Sequence, residues 1–363
     1  MGRTKVIAGV VALGLLGGGA VIALWDSMPW ADKRDCAGPS AVLRTDLAVP
    51  QDTTSFLHAM LSPDGRHLLW PVYEPALLDV TTGKTVRHYD GSAPEVMSFR
   101  ADGSSFVALQ QFENEAGRVP GAAVWPVDGD KAIQVFPGLQ PLAEKKDDRG
   151  RIQDTAVSPD GKLVALSTTD GLVRTWNVRT GALETTMEEK SEFDGATGYQ
   201  ASRLAFSPDG KLVALGDAGG RVLVWNTGTG KVEHRFNSPG SGAIEVAFSP
   251  DGKYLAVREY GPEQPSSRHD VWVVEIATER TIQVTPQWSI VGAMRFSPDS
   301  SAIVTANQYG EIDRTTLADG KTTTVLDVCG ADQLMVTPDT GAVLSLAKTA
   351  DRAGYELRTF TLP

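Results

Sequence analysis

The chain has 363 residues, of which 41% are hydrophobic and 22% charged, and its formal net charge is −11. This composition is typical of folded globular proteins and not of disordered ones. The acidic balance, with no basic cluster along the chain, argues against nucleic acid as a partner, because phosphate backbones bind basic surfaces. Gly (37) and Pro (21) are frequent, which indicates many turns between short strands.

The first predicted element is a membrane-spanning helix at residues 6–25, a run without any charged residue. At 1.5 Å per residue, such a helix is about 30 Å long, which is the thickness of a bilayer's hydrocarbon core. Arg3 and Lys5 precede the run, whereas the cations that follow it lie among aspartates. The positive-inside rule therefore places residues 1–5 in the cytoplasm and the rest of the chain outside, with residues 26–40 as a tether.

A cleaved signal peptide is the alternative, with residues 6–17 as its apolar core and Gly18-Gly19-Ala20 as a small-residue cleavage site. The anchor is favoured because the apolar run continues through Leu24. The anchor predicts a single-pass protein of the cell membrane, and the signal peptide predicts a secreted one. Both place the remainder of the chain outside the cytoplasm.

A four-residue marker dominates the rest of the sequence. Ser-Pro-Asp-Gly begins at Ser62, Ser158, Ser207 and Ser249, and weaker copies begin at Arg100, Ser297 and Thr337. Pro sets φ for a type I turn, and Gly exits it. Short apolar segments with period-two alternation flank each marker, which predicts strands and not helices. Seven units at intervals of 38 to 58 residues are typical of β-propeller blades.

The stretch SPDGKLVALSTTDGLVRTWNV at residues 158–178, and nearly as closely residues 207–227, resemble the WD-repeat β-propeller family. Bacterial propellers of the TolB-like kind share the marker turn and are a related alternative. The resemblance implies an all-β, seven-bladed propeller. The sequence departs from the family because it lacks the Gly-His pair before the first strand. This departure puts the family's buried His-Asp network in doubt.

The ring is predicted to close through the start of the chain. The seventh unit ends at Pro363 after three predicted strands, and the strand-like residues 41–49 belong to no unit. We expect them to supply the outermost strand of the seventh blade, because this closure removes an unpaired edge. The propeller domain is then residues 41–363.

Cys36 and Cys329 are the two cysteines of the chain. A pair of cysteines outside the cytoplasm favours a disulfide, which would join the tether to the connection between the sixth and seventh blades. Their separation in sequence shows no zinc-ligand spacing.

The sequence offers no catalytic, cofactor-binding or metal-binding motif. Turn chemistry explains the marker aspartates, and the five histidines show no metal-ligand spacing. We therefore expect a binding protein and not an enzyme. A propeller hydrolase or lactonase-like enzyme, or a small-ligand sensor using the central channel, is the alternative.

The long connections between strands are predicted to share one face of the propeller. This long-loop face holds the turns from second to third strands and the blade-to-blade connections, and the opposite marker face holds the marker turns. Insertions at 111–121, 138–151, 188–202 and 259–269 all belong to the long-loop face, where binding residues concentrate. We expect a protein or peptide partner there, within an extracytoplasmic scaffold of the cell envelope. Aromatic and arginine side chains anchor such interfaces, and the candidates are Phe112, Tyr199, Tyr260 and Arg268.

Overall fold

Every regular element that the computed structural model describes is a β-strand. The described residues are 38–48, 59–70, 76–89, 97–114, 117–129, 131–136, 152–168, 172–188, 204–217, 220–237, 242–260, 269–284, 291–307, 310–328, 333–348 and 354–363. They belong to one unit, Ala37–Pro363. Within these stretches, no helix is long and apolar enough to span a membrane. The predicted anchor at 6–25, Cys36 and Cys329 lie outside them.

The strands form seven antiparallel sheets of four strands each. Blade 1 consists of β2 (Met60–Leu61), β3 (His67–Trp70), β4 (Ala76–Asp79) and β5 (Thr85–His88). Blade 2 consists of β6 (Met97–Phe99), β7 (Ser105–Asn114), β8 (Gly117–Pro126) and β9 (Gln134–Phe136). Blade 3 consists of β10 (Ile152–Val157), β11 (Leu163–Thr168), β12 (Val173–Asn177) and β13 (Leu183–Met187). Blade 4 consists of β14 (Ala205–Phe206), β15 (Leu212–Gly216), β16 (Arg221–Asn226) and β17 (Val232–Asn237).

The remaining three blades follow the same order. Blade 5 consists of β18 (Gly242–Phe248), β19 (Tyr254–Tyr260), β20 (His269–Glu275) and β21 (Arg280–Gln283). Blade 6 consists of β22 (Val291–Phe296), β23 (Ala302–Asn307), β24 (Glu311–Thr316) and β25 (Thr322–Asp327). Blade 7 consists of β26 (Gln333–Val336), β27 (Ala342–Lys348), β28 (Gly354–Thr361) and β1 (Ala41–Ala48). The first strand of each blade is the innermost, as shown by the successive contacts of β6 with β10 and of β10 with β14.

The marker turns set the register of every blade, because each joins the innermost strand to the second one. The marker glycines have positive φ, such as Gly210 at 72°, which glycine adopts without strain. In the two weaker markers of blades 6 and 7, Ser300 and Thr340 stand in the glycine position and adopt φ of 58° and 55°. The turn geometry is therefore kept even where the residue departs from glycine.

The core lies between the blades. In the described part of the chain, seven hydrophobic clusters each join two neighbouring blades, and together they link all seven into a ring. Blades 7 and 1 meet where the rings of Tyr355 and Trp70 pack edge to face, with centroids 4.9 Å apart. The recurrent third-strand tryptophans pack between blades as predicted, and Trp225 is fully buried. Burial of such a side chain stabilises the fold by roughly 2–3 kcal/mol.

The first strand of the chain completes the last blade. β1 pairs antiparallel with β28, with Ala41 opposite Thr359 and Ala48 opposite Gly354. The Ser40 backbone N–H donates to the Thr359 carbonyl at 2.7 Å, and the Thr45 hydroxyl donates to the Tyr355 carbonyl at 2.9 Å. A strand from one end of the propeller domain thus pairs with a strand from its other end, in the position predicted for residues 41–49.

Candidate interaction surface

The marker face consists of short turns whose polar groups are used within the turns. In blade 4, the Ser207 hydroxyl donates to Asp209 Oδ1 at 2.6 Å, and the Lys211 backbone N–H donates to the same oxygen at 3.1 Å. The Ser207 hydroxyl in turn accepts the Leu212 N–H at 2.9 Å. These hydrogen bonds, led by the one from Ser207, lower the pKa of Asp209. The predicted turn role of the marker aspartates is confirmed, because in every marker the aspartate carboxylate accepts hydrogen bonds within its own turn.

On the long-loop face, three blades have tight turns between their second and third strands. In blade 4, Asp217 Oδ1 accepts the Arg221 N–H at 2.9 Å, and the two side chains form an ion pair at 2.8 Å. In blade 6, Asn307 Oδ1 accepts the Glu311 N–H at 3.0 Å. In blade 3, the Thr168 hydroxyl donates to the carbonyl at position 172 at 3.2 Å. Each of these polar residues lies ten positions after the start of its marker.

Blade 2 departs from this pattern with a long hairpin. β7 and β8 pair over their whole length, from Ser105 opposite Pro126 to Asn114 opposite Gly117. Among the described residues, β6 pairs with residues 106–108 of β7, and β9 pairs with residues 122–124 of β8. Residues 109–114 of β7 thus continue beyond the described residues of both flanking strands, over about 20 Å at 3.4 Å per residue. The insertion at 111–121, interpreted from sequence as a loop, is mostly paired strand.

Blade 5 departs in a different way. Its residue ten positions after the marker start is Glu259, which is 2% exposed and accepts the Trp272 Nε1–H at 2.8 Å. Asp270 lies directly opposite Glu259 on β20 and is 4% exposed. The Glu259 carboxylate therefore bonds to a tryptophan side chain. The connection after β19 is longer than in blades 3, 4 and 6, since eight residues separate Tyr260 from His269. Trp272 pairs with Val257, two positions nearer the long-loop face than the register of Trp125, Trp176 and Trp225.

Two of the four predicted anchor residues lie in strands. Phe112 is opposite Val119 in the extended part of the blade 2 hairpin. Tyr260 is the last residue of β19, opposite His269. The two belong to blades that are not neighbours in the ring, so their backbones are not brought together. Tyr199 and Arg268 lie outside the described residues.

The innermost strands carry charges that their apolar appearance in sequence does not reveal. Asp154 on β10 is 4% exposed and accepts a hydrogen bond from the backbone N–H of Leu204 in the next blade. Glu245 on β18 forms an ion pair with Arg258 on β19 at 2.8 Å. The register of these strands shifts just before Asp154 and Glu245, and such bulges redirect side chains. In the described part of the chain, no group of three or more His, Cys, Asp or Glu residues has the geometry of a metal site.

Comparison with known protein families gives one match to this chain. Residues 187–226 match the WD40 family, described as WD domain, G-beta repeat. The match begins at the last residue of β13 and ends at the last residue of β16, so it covers the connection from blade 3 to blade 4 and the first three strands of blade 4. The match and the seven blades support a WD-repeat β-propeller. No curated protein matches the chain.

In the described part of the propeller, the polar residues of the marker face are used within their turns, whereas those of the long-loop face differ from blade to blade. In each marker turn, a backbone N–H donates to the carboxylate of the same turn. In the tight turns of blades 3, 4 and 6, a polar side chain forms a hydrogen bond with the backbone of its own turn. Blade 2 has a long hairpin instead, and blade 5 has a longer connection. This WD-repeat architecture suggests a protein-interaction scaffold.

Proposed function

We propose that this WD-repeat propeller binds a protein or peptide partner on its long-loop face. The observation that carries the proposal is the hairpin of β7 and β8, whose strands pair over ten residues each and continue beyond the described residues of the other strands of blade 2. A long hairpin is suited to recognition, because backbone groups at an unpaired strand edge can bind a partner. The eight-residue connection between Tyr260 and His269 in blade 5 joins a second and a third strand and belongs to the same predicted face.

The test is to remove the hairpin without changing the sheet. Leu109 lies opposite Ala122, so residues 110–121 can be replaced by Asn-Gly, which forms a two-residue hairpin turn. Partners captured by the full-length protein should be lost by this variant. As the matched control, Lys162→Ser with Lys211→Ser removes two exposed charges from the marker face and should retain them. Capture that survives hairpin removal but is lost in the control variant would place the partner on the wrong face.

We also propose that residues 6–25 anchor the protein in the cell membrane, with the N-terminus in the cytoplasm and the propeller outside. The uncharged run and the preceding Arg3 and Lys5 support this orientation. A disulfide between Cys36 and Cys329 belongs to the same proposal, because disulfides persist outside the cytoplasm. Protease added to intact cells should digest the propeller, and mass analysis without reductant should find the chain two hydrogens lighter than its thiol form. Protection of the propeller from protease would reverse the proposed orientation.

The proposal assigns the propeller a binding role and no catalysis. A hydrolase or a channel-binding sensor would instead present several converging acidic or histidine side chains at the axis. Metal analysis of the purified protein discriminates the two, since stoichiometric metal would favour an enzyme. Partner capture that depends on the hairpin favours the scaffold.

A further inference from the structure

A row of polar side chains crosses the face of blade 3 that packs against blade 4. Residues directly opposite each other on paired strands point to the same side of a sheet, and Ala165 and Val173 on this side belong to the hydrophobic cluster shared with blade 4. From the innermost strand outwards, the row consists of Asp154, Ser167, Thr175 and Thr185. Burying such groups between two blades is unfavourable unless each one forms a hydrogen bond.

The two ends of the row bond directly to the backbone of blade 4. At the inner end, the carboxylate of Asp154 accepts a hydrogen bond from the backbone N–H of Leu204. At the outer end, the hydroxyl of Thr185 donates to the carbonyl of Thr227 at 3.0 Å. Blade 4 therefore supplies a partner at each end.

The middle of the row is different. The side chains of Ser167 and Thr175 are both 0% exposed, and neither hydroxyl forms a hydrogen bond with the part of the chain that the structure describes. From blade 4, the cluster on this interface includes Trp225, which is also 0% exposed. Its indole N–H likewise has no partner among the described residues. One interface thus contains three fully buried polar groups whose hydrogen bonds are not made by protein.

The spacing of the two hydroxyls suits a bridging group and not a direct bond. Ser167 lies opposite Val173, and Thr175 lies opposite Ala165, so the two hydroxyl residues are diagonal neighbours on adjacent strands. Diagonal neighbours are about 7–8 Å apart, and somewhat less between their Cβ atoms. A direct O–H···O bond spans about 2.8 Å, and a water that bonds to both groups spans about twice that distance.

We propose that ordered water is bound between blades 3 and 4 by the hydroxyls of Ser167 and Thr175 and the indole N–H of Trp225. The indole only donates, whereas water accepts from it and also donates to the hydroxyl oxygens. A cation would face an N–H donor, and an anion would lie beside the carboxylate of Asp154, which is directly opposite Ser167. Three partners are typical of a buried water. This water site is independent of the proposed partner surface.

The direct test is a crystal structure of the full-length protein at a resolution that shows ordered water. We expect water within hydrogen-bond distance of Trp225 Nε1 and of at least one of the two hydroxyls. Trp272 is the matched control, because it is 2% exposed and its indole N–H already donates to Glu259; no water is expected at its nitrogen. A direct bond from Trp225 Nε1 to a protein acceptor, or the absence of solvent density beside it, would overturn the proposal.

Urea unfolding tests the same site in solution. Ser167→Ala and Thr175→Val should each lower the urea midpoint, and the shift of the double variant should be smaller than the sum of the two, because either change releases the shared water. Ser167→Ala combined with Thr185→Val is the control pair, and its shifts should add, because Thr185 bonds directly to blade 4. Additive shifts for Ser167→Ala and Thr175→Val would contradict a shared water.

Discussion

Closure of the ring by β1 predicts that the eight residues Ala41–Ala48 have a large effect on stability. The chain beginning at residue 38 retains β1, and the chain beginning at residue 52 lacks it. In the first, β1 pairs with β28 at five residue positions, and Ser40 and Thr45 add bonds to Thr359 and Tyr355. At about 1 kcal/mol net for each hydrogen bond, removing the strand should cost roughly 5 kcal/mol. That is comparable with the entire stability of many domains, which is about 5–15 kcal/mol.

The assay is urea unfolding of the two chains, followed by tryptophan fluorescence, since Trp70 lies in the cluster that joins blades 7 and 1. The shorter chain should unfold at a much lower urea concentration, and a peptide of residues 38–48 added to it should raise the midpoint. A single substitution isolates one contact, because Thr45→Val keeps the shape and should cost about 1–2 kcal/mol. Thr186→Val on the exposed face of β13 is the matched control. Equal midpoints for the two chains would refute the reasoning.

Three further predictions concern individual residues. The hydrogen bonds led by that of Ser297 lower the pKa of Asp299 to about 2, so its contribution to stability is present above about pH 4 and lost as pH falls toward 2. In thermal melts at stepped pH, the melting temperature of Asp299→Asn should fall less between about pH 4 and pH 2 than that of the wild type. An equal fall would contradict the assignment. Glu259→Leu leaves the Trp272 N–H without this acceptor, so its free energy of unfolding in urea titrations should be about 1–3 kcal/mol lower than that of Glu259→Gln. Equal urea midpoints would show that this hydrogen bond does not stabilise the fold. Gly310→Ala, whose added Cβ would overlap a backbone carbonyl oxygen at φ of 92°, should lower the urea midpoint more than Gly210→Ala, whose nearest neighbour is 3.7 Å away; the reverse order would refute the clash.

The blade count and the register could be predicted from sequence because the marker is local chemistry. Pro, Asp and Gly specify the turn by their own backbone preferences, and the turn joins two strands whose alternation then follows. Even the weaker copies retain the turn, since Ser300 and Thr340 adopt positive φ there. Closure by residues 41–49 followed from a count of strands and the cost of an open edge.

The hairpin of blade 2 could not be predicted in this way. Residues 111–121 alternate weakly and contain two glycines and a proline, which are features of loops. Their pairing is set by continuation of the register between Ser105 and Pro126, a tertiary constraint that local propensity does not express. The interpretation as a loop was therefore wrong, although the insertion does extend from the long-loop face.

The charged residues near the axis were missed for a similar reason. From the sequence, the three residues before the markers are nearly all apolar or small, while Glu245 lies one residue further out. The placement of Glu245 depends on the register of its strand, and only the strand pairing supplies that.

One backbone position distinguishes blades 3, 4 and 6 from blade 5. Ten residues after the marker start, Thr168, Asp217 and Asn307 each close the turn that follows, so their polar groups are consumed by the fold. Glu259 occupies the same position in blade 5 but bonds to a tryptophan side chain, and its blade has a longer connection. A side chain that closes a tight turn fixes a short connection, whereas one that bonds elsewhere lets the connection lengthen and vary. The connection of blade 5, part of the proposed binding face, can therefore vary while the tight turns of blades 3, 4 and 6 stay fixed.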